Sequence, residues 1–508
     1  MLLIHWRFTS NKKVIVIGSG VAGLATAIRL SVQGFAVTVY EKNNYPGGKL
    51  SAFEKDGFCF DAGPSLFTQP ANIEELFELA GEPIEDYLSY SPVNIACKYF
   101  YENGKVIEAS ANTEIFGKEL EEKLGESPDA VKNYLLQSKN AYLNIGSIFL
   151  NHSLHKRKTW LNKRVVKALR ATRYSYLFRS LHQYNKTKFK SAEAIQLFNR
   201  YATYNGSNPY KAPGMLSLIP HLEYNEGVFY PKGGMISITN ALYNLAVKKG
   251  IQFHFNTRVQ KIIQHEGIVR GIVANNENII SGTVVSNMDV YFTYKHLLDN
   301  DHKAKNILNQ ERSSSALVFY WGIKKNFEQL QLHNIFFSKN YAAEFDSLFK
   351  SKILQNDPTV YINITSKMEQ GHAPAGKENW FVMINAPANT GQDWDTIKQE
   401  ARKKIIEKIN RVLSAGSDAQ TDIEPLIETE EILDPVAIEE RTASCRGSLY
   451  GTSSNSKLAA FLRHPNFTGT VKGLYFCGGS VHPGGGIPLC LKSAQIVGDL
   501  IKAEKSAH

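Results

Sequence analysis

The stretch KKVIVIGSGVAGLATAIRLSVQGFAVTVYEKN, residues 12–43, predicts a strand, a helix and a second strand. Residues 14–17 form a short apolar run, which is typical of a buried strand. Residues 21–33 carry apolar side chains at helical spacing, and residues 36–40 form the second strand. Such a β-α-β unit predicts a mixed α/β protein with a Rossmann-like domain.

The turn between the first strand and the helix carries the pattern GxGxxG over residues 18–23. Gly18 permits the tight turn, Gly20 lets a pyrophosphate approach the helix N-terminus, and Gly23 lets helix and strand pack closely. Glu41 ends the second strand, where its carboxylate can accept hydrogen bonds from a ribose. A tight turn in an ordinary α/β domain would not require this acid, so we predict a bound dinucleotide.

The following residues favour FAD over NAD. The segment NYPGGKLSAFEKDGFCFDAGPSLF, residues 44–67, places Gly47–Leu50 shortly after Glu41 and then Gly63–Ser65. It resembles the second motif of the two-dinucleotide-motif flavoproteins, the superfamily of amine oxidases and carotenoid desaturases. The resemblance implies that Gly47–Leu50 passes along the pyrophosphate and ribityl chain of FAD, and that Gly63–Ser65 reaches the flavin.

A second glycine-rich connection lies near the end of the chain, in LYFCGGSVHPGGGIPLCLKSAQIVGDLI, residues 474–501. It reads as a strand, a loop and a helix that begins near Pro488, a favoured position for proline. The resemblance implies that this loop closes over FAD and that the helix N-terminus stabilises the reduced flavin. Amine-oxidase relatives have an acid where Ser480 stands here. His482 has two interpretations: it braces the loop, or it contacts the flavin or the substrate.

Further segments are similar to carotenoid desaturases of the bacterial phytoene-desaturase type: residues 205–235, 256–262 and 357–383. The ending GGSVHPGGGIPLCLKSA and the segment RGSLYG, residues 446–451, most resemble the 1-hydroxycarotenoid 3,4-desaturase branch. This implies FAD-dependent introduction of a double bond into a polyene. The alternatives are phytoene desaturation, another flavin oxidase acting on an amine or a porphyrinogen, and a prenyl-lipid-binding protein without catalysis.

Each expected site residue can be named. Glu223 is the candidate catalytic base, and the interpretation as a surface or ion-paired carboxylate stays open beside it. No metal site is predicted. The residues expected to contact FAD are Gly18, Gly20, Val21, Ala22, Gly23, Glu41, Lys42, Gly48, Lys49, Leu50, Gly63, Pro64, Ser65, Val259, Asn287, Met288, Gly478, Gly479, Ser480, Gly486, Ile487 and Pro488.

The domain prediction divides the chain into alternating pieces. Residues 1–80, 231–298 and 431–508 are expected to form the FAD-binding domain. Residues 81–230 are expected to form a helical substrate and membrane-associated region, and residues 299–430 an antiparallel substrate sheet. Apolar strands at 316–323, 359–364 and 380–386 support the sheet.

Charge is concentrated in one segment. The net charge is +10, but residues 155–190 hold twelve Lys or Arg and no Asp or Glu, which leaves −2 for the remainder. Basic and apolar faces on one helix favour docking to an anionic bilayer, whereas a solvated helix is the alternative. Nucleic acid is not expected, since no binding motif accompanies the charge. We expect a cytoplasmic enzyme without a signal peptide, peripheral on the inner face of the membrane, with carotenoid as substrate and oxygen or a quinone as electron acceptor.

Overall fold

The computed structural model describes residues 13–160, 176, 178–415, 420–456 and 463–506. Parallel and antiparallel sheets occur together with helices, so the predicted mixed α/β class is confirmed. The strands are β1 (Lys13–Ile17), β2 (Ala36–Tyr40), β3 (Ala52–Lys55), β4 (Phe58–Asp61), β5 (Tyr90–Pro92), β6 (Ile95–Phe100), β7 (Val106–Ser110), β8 (Phe229–Pro231), β9 (Gln252–His254), β10 (Val259–His265), β11 (Ile268–Ala274), β12 (Glu277–Ile280), β13 (Val284–Ser286), β14 (Ser315–Ile323), β15 (His333–Phe336), β16 (Val360–Asn363), β17 (Glu378–Ala386), β18 (Ile427–Leu433) and β19 (Leu474–Phe476). The helices of eight or more residues within the described ranges are α1 (Val21–Val32), α2 (Ala71–Ala80), α3 (Thr113–Leu124), α4 (Pro128–Ala141), α5 (Ala192–Asn199), α6 (Ile236–Lys248), α7 (Asp301–Leu308), α8 (Trp394–Ser414), α9 (Pro435–Thr442) and α10 (Ile487–Ser506).

A parallel sheet holds the strands in the order β19, β13, β1, β2, β9. β1 is the central strand, and its apolar residues 14–17 are buried, as expected for a parallel sheet covered on both faces. α1 packs against α10 and α6, with Ala25, Ala27 and Ile28 fully buried. Since the strands are parallel, the residues that follow β1, β2, β13 and β19 meet at one edge of the sheet.

Strands from distant parts of the chain contribute to this sheet. β1 and β2 come from the N-terminal stretch, β9 and β13 from the middle, and β19 from the C-terminal stretch. A separate three-stranded antiparallel sheet, β10-β11-β12, follows β9 in the chain. The exact domain boundaries stay a prediction.

A seven-stranded sheet has the order β18-β14-β17-β16-β15-β6-β7. Every residue of β14 is buried, and it pairs antiparallel with both β17 and β18. The strands within residues 299–430 pair antiparallel, as expected for the substrate sheet, whereas β6, from outside that range, runs parallel to β15. The β15–β6 pairing joins residues from the predicted helical region to the substrate sheet, which the local pattern of either strand does not indicate.

Helices α3, α4 and α5, with shorter helical turns between them, lie against one face of this sheet region. Asn112 caps α3 by accepting the backbone N–H groups of Glu114 and Ile115. The basic side chains on which the docking prediction rests, Lys163, Lys167 and Arg170, lie outside the described residues. Within the described ranges, no helix is both long enough and apolar enough to cross a bilayer.

Candidate active site

The turn after β1 leaves no room for side chains. A Cβ on Gly23 would lie 2.1 Å from the carbonyl oxygen of Gly18, so the glycine is needed for helix and strand to approach. Gly20 occupies the N-cap of α1 in an extended conformation. Because it has no side chain, it leaves the first N–H groups of α1 accessible to an anionic ligand.

Glu41 follows β2 at the same edge and is 5% exposed. Its Oε2 accepts hydrogen bonds from the backbone N–H of Ser19, at 2.8 Å, and from the Ser19 hydroxyl, at 2.9 Å. Its Oε1 accepts the backbone N–H of Asn43 at 2.9 Å. The carboxylate is therefore held beside the glycine turn, at the position expected for an acid that binds a ribose.

Lys49 and Gly63 belong to adjoining segments of backbone. A Cβ on Gly63 would lie 1.8 Å from the Lys49 carbonyl oxygen, which explains the glycine. The Lys49 ammonium donates to the carbonyl of Leu449 at 2.9 Å. Burial lowers the pKa of Lys49 to about 8, and the nearby Asp289 carboxylate opposes this shift.

Asn287 joins the two glycine-rich ends of the chain. A Cβ on Gly20 would lie 2.7 Å from Asn287 Nδ2, and one on Gly478 would lie 2.7 Å from Asn287 Oδ1. Two residues later, Asp289 accepts a hydrogen bond from the buried Arg312 guanidinium at 2.5 Å. This ion pair fixes the backbone that carries Asn287 and Met288.

The C-terminal loop is braced from several sides. The backbone N–H of Val290 donates to the Ser480 hydroxyl at 3.0 Å. His482 Nε2 lies 3.0 Å from the carbonyl oxygen of His152, and the side chain is 3% exposed. The geometry supports the interpretation that His482 braces the loop against the helical region, although its side chain also lines the cavity.

A cavity of about 1290 Å³ runs along all these segments. Gly23 is the expected cofactor residue that does not line it, since it packs against Gly18 instead. The wall includes the others: Gly18, Gly20, Val21, Ala22, Glu41, Lys42, Gly48, Lys49, Leu50, Gly63, Pro64, Ser65, Val259, Asn287, Met288, Gly478, Gly479, Ser480, Gly486, Ile487 and Pro488. Bare backbone, an uncapped helix N-terminus and a carboxylate at the strand edge fit FAD in this part of the cavity.

The cavity continues into the space between the seven-stranded sheet and the helical region. Its wall there is largely apolar and aromatic and includes Phe149, Met215, Leu222, Phe337 and Phe381. Such a lining excludes water and suits a long hydrocarbon.

Glu223 lies in the wall of this second part and is 2% exposed. Its Oε2 accepts hydrogen bonds from Arg200 Nη2 at 2.6 Å and from the Tyr201 hydroxyl at 2.5 Å. Arg200 Nε also donates to the Tyr99 hydroxyl at 2.7 Å. Glu223 is thus a buried, ion-paired carboxylate at the cavity rather than a surface side chain, and its catalytic role stays a prediction.

Sequence reasoning missed several wall residues. Arg200 belongs to no recognisable motif, and its partner Glu223 is 23 positions away. Tyr450 packs against the C-terminal loop, where a Cβ on Gly485 would lie 2.7 Å from its ring. The segment RGSLYG, which contains Tyr450, resembles the desaturase branch, but its local pattern does not indicate that it contacts the C-terminal loop.

The fold has many relatives of known structure. An oxidoreductase from Methanosarcina mazei superposes with a TM-score of 0.63 at 14% identity, covering 97% of this chain and 100% of that one. Cyclohexylamine oxidase from Brevibacterium oxydans IH-35A gives a TM-score of 0.61 at 15% identity, covering 97% and 99%. These similarities establish the shared fold.

The sequence matches the family described as flavin containing amine oxidoreductase over residues 21–501, so the chain belongs to that family. It is an FAD-dependent oxidoreductase of the carotenoid desaturase group within the family. It is 50% identical over 490 residues to the 1-hydroxycarotenoid 3,4-desaturase of Flavobacterium sp. (strain P99-3), covering 96% of this chain and 99% of that protein. The 4,4'-diapolycopene oxygenase of Methylomonas sp is 33% identical over 503 residues, covering 97% and 99%.

Proposed function

We infer that this protein desaturates 1-hydroxycarotenoids at the 3,4 position. The observation that carries the proposal is one continuous cavity, which joins the glycine-rich edge of the parallel sheet to an apolar, aromatic chamber. The high identity to a 1-hydroxycarotenoid 3,4-desaturase supports this substrate over those of the less similar oxygenases.

The residues that would hold FAD lie at the carboxyl edge of the parallel sheet. Glu41 would accept the ribose hydroxyls, and the N-terminus of α1 would bind the pyrophosphate. Asn287 and Gly478 would enclose the cofactor between the two ends of the chain. The Gly63–Ser65 turn and the start of α10 would border the flavin.

Desaturation removes a hydride, with both electrons of its C–H bond, from one carbon and a proton from the neighbouring carbon. The electron pair of the C–H bond that loses the proton becomes the π bond of the new C=C. When bound, the flavin accepts the hydride. The chamber's apolar wall positions the polyene and excludes water, and its aromatic faces stabilise positive charge that develops along the polyene. Turnover would also require an electron acceptor, for which oxygen and a membrane quinone are the two candidates.

Glu223 is the candidate acceptor for the proton, through a carboxylate oxygen held at the cavity by Arg200. Replacing Glu223 by Gln keeps the size and the hydrogen bond from Arg200 but removes the basic carboxylate. For a base, we expect kcat to fall about 100-fold or more. Tyr201→Phe is the matched control, because it removes the neighbouring hydroxyl and leaves the carboxylate. Unchanged turnover in Glu223→Gln would show that Glu223 only pairs with Arg200.

The basic segment 155–190 is proposed to dock on an anionic membrane, where the substrate is stored. Exposed apolar side chains in the same part of the chain support this, among them Leu136 and Trp160. The test is co-sedimentation with anionic vesicles after changing Lys163, Lys167 and Arg170 to Glu. A control variant changes three exposed lysines elsewhere to Glu: Lys261, Lys350 and Lys403. Equal vesicle binding by both variants would reject the docking surface.

The function is tested with FAD-loaded enzyme in liposomes that contain a 1-hydroxycarotenoid or phytoene. We expect the hydroxylated substrate to shift its absorption to longer wavelength and to lose two hydrogen atoms by mass spectrometry. Gain of an oxygen atom would instead indicate an oxygenase. Conversion of phytoene alone would contradict the proposed substrate, and lipid binding without conversion would indicate a non-catalytic protein.

A further inference from the structure

A hydrogen-bonded chain of side chains runs along the cavity wall from the Gly63–Ser65 turn. The Ser65 hydroxyl lies 2.8 Å from the Tyr361 hydroxyl, which lies 2.7 Å from His333 Nδ1. All three side chains line the cavity, and His333 is 2% exposed. These hydrogen bonds connect the Gly63–Ser65 turn, which is proposed to border the flavin, with the interior of the seven-stranded sheet.

The hydrogen bonds around His333 fix which ring nitrogen carries its proton. Asn363 Nδ2 donates to the carbonyl oxygen of Leu332 at 3.0 Å, which sets the orientation of this amide. The same Nδ2 lies 3.2 Å from His333 Nδ1. Because an amide nitrogen can only donate, Nδ1 is an acceptor, and the proton of the neutral ring is on Nε2.

The Nε2–H group of His333 is a buried hydrogen-bond donor on an uncharged ring. Burial, and to a smaller extent the charge of Arg200, lower the pKa of the ring to about 3, so the imidazole is uncharged at neutral pH. Nε2 is buried and has no hydrogen-bond partner among the described residues. A buried N–H group without an acceptor is destabilising, and native structures supply a partner in most cases.

We propose that His333 Nε2–H donates a hydrogen bond to the C1 hydroxyl oxygen of the carotenoid and so selects hydroxylated substrates. This inference rests on the proposed function. In a 3,4-desaturation, two bonds separate C1 from C3, so the hydroxyl must be bound close to the reacting carbons. The connection through Tyr361 to Ser65 places His333 near the flavin turn. A neutral donor also adds no positive charge beside a substrate that loses a hydride.

Two other hydroxyl groups in the cavity wall are buried and unpartnered among the described residues, those of Tyr204 and Tyr320. Either one is an alternative partner for the substrate hydroxyl. Of the three groups, His333 is the one joined to Ser65 through Tyr361. Tyr204→Phe and Tyr320→Phe therefore serve as matched controls that each remove one unpartnered polar group.

The test compares kcat/KM for a 1-hydroxycarotenoid and for the same polyene without the hydroxyl, using FAD-loaded enzyme in liposomes. We expect the wild type to favour the hydroxylated substrate about tenfold or more. His333→Leu should lose this preference through a fall for the hydroxylated substrate alone. His333→Gln, which keeps an N–H donor, should restore part of it, and both Tyr→Phe variants should keep it.

Three outcomes would overturn the role of His333 while leaving the desaturase function intact. The first is equal kcat/KM for the two substrates in the wild type. The second is a fall in kcat/KM that is equal for both substrates in His333→Leu and His333→Gln, and the third is loss of the preference in a Tyr→Phe variant. Failure of the wild type to convert either substrate would instead refute the proposed function itself. The flavin absorption of each variant establishes that it is folded. If His333→Leu does not fold, the substrate preference of His333→Gln still tests the proposal.

Discussion

Individual glycines set how closely backbone segments approach around the cofactor cavity. Gly23 and Gly63 are the clearest cases, because a Cβ on either would collide with a carbonyl oxygen, at 2.1 and 1.8 Å respectively. These contacts involve backbone rather than flexible side chains. The segments would have to separate to accommodate even a methyl group.

Gly23→Ala is expected to weaken FAD binding about tenfold or more, because α1 must move away from the turn that is proposed to bind the pyrophosphate. The affinity is measured by titrating the apoprotein with FAD and following the quenching of flavin fluorescence. Gly282→Ala is the matched control, since nothing lies within 4 Å of its added Cβ. Equal affinity of the two variants would contradict this account of Gly23.

A buried carboxylate gives a second prediction for a single residue. Asp61 accepts the backbone N–H groups of Met235 and Ile236 at the start of α6. Burial nevertheless raises its pKa to about 6, because these hydrogen bonds only partly offset the loss of hydration. Folding therefore favours the protonated form of Asp61.

The wild type should lose stability relative to Asp61→Asn as the pH rises from 5 to 7. The folded protein binds the proton more tightly than the unfolded chain, so the penalty for ionising Asp61 grows across this range. Linkage gives a loss of about 1 kcal/mol. Thermal unfolding of both proteins at the two pH values measures it, and a difference in stability that is constant with pH would refute the raised pKa.

Among the secondary-structure elements, the connection after β13 is fixed by the Asp289–Arg312 ion pair. The side chains are 5% and 2% exposed, and Arg312 also donates to the Ser448 hydroxyl at 3.0 Å. Asp289 accepts the backbone N–H of Tyr291 at 2.9 Å as well. The pair therefore ties the connection that carries Asn287 to the segment that precedes the C-terminal loop.

Arg312→Ala is expected to destabilise the protein by about 3–5 kcal/mol, because it leaves a buried carboxylate without its partner. The double variant with Asp289→Ala should cost less than the sum of the single variants. The exposed pair Lys261–Asp299 is the control, and its removal should cost at most about 1 kcal/mol. Additive effects in the Asp289–Arg312 cycle, measured by urea unfolding, would contradict the coupling.

For the whole molecule, the cofactor edge is assembled from distant stretches of the chain. β13 pairs with both β1 and β19, although about 190 residues separate Ser286 from Phe476. FAD bound at this edge would contact all of these stretches at once. Its binding energy therefore adds to the stability of the folded state.

Removing FAD should lower the unfolding temperature, and adding FAD back should restore it. Ligand at 100 times its dissociation constant contributes about 2.7 kcal/mol. FMN should restore much less, because it lacks the adenosine half that Glu41 and Val259 are expected to contact. Equal recovery with FMN would contradict the assignment of the glycine turn to the adenosine diphosphate half.

The sequence alone determined the elements whose chemistry is local. The β-α-β unit, the glycine turn and Glu41 follow from short patterns, because a strand, a tight turn and a helix start each depend on neighbouring residues. The same holds for the start of α10, predicted near Pro488 and observed at Ile487, and for β14, whose apolar residues predict a buried strand. The family resemblance added the cofactor and placed the C-terminal loop beside it.

Tertiary structure decided which distant side chains meet. Ser65 and Tyr361 are 296 positions apart, and Asp289 and Arg312 are 23 apart, the first after β13 and the second before β14. No local pattern indicates that His333 Nε2 has no hydrogen-bond partner among the described residues, or that Glu223 is paired with Arg200 inside a cavity. These properties arise from burial and close packing, since the energy of a polar group depends on what surrounds it after the chain has folded.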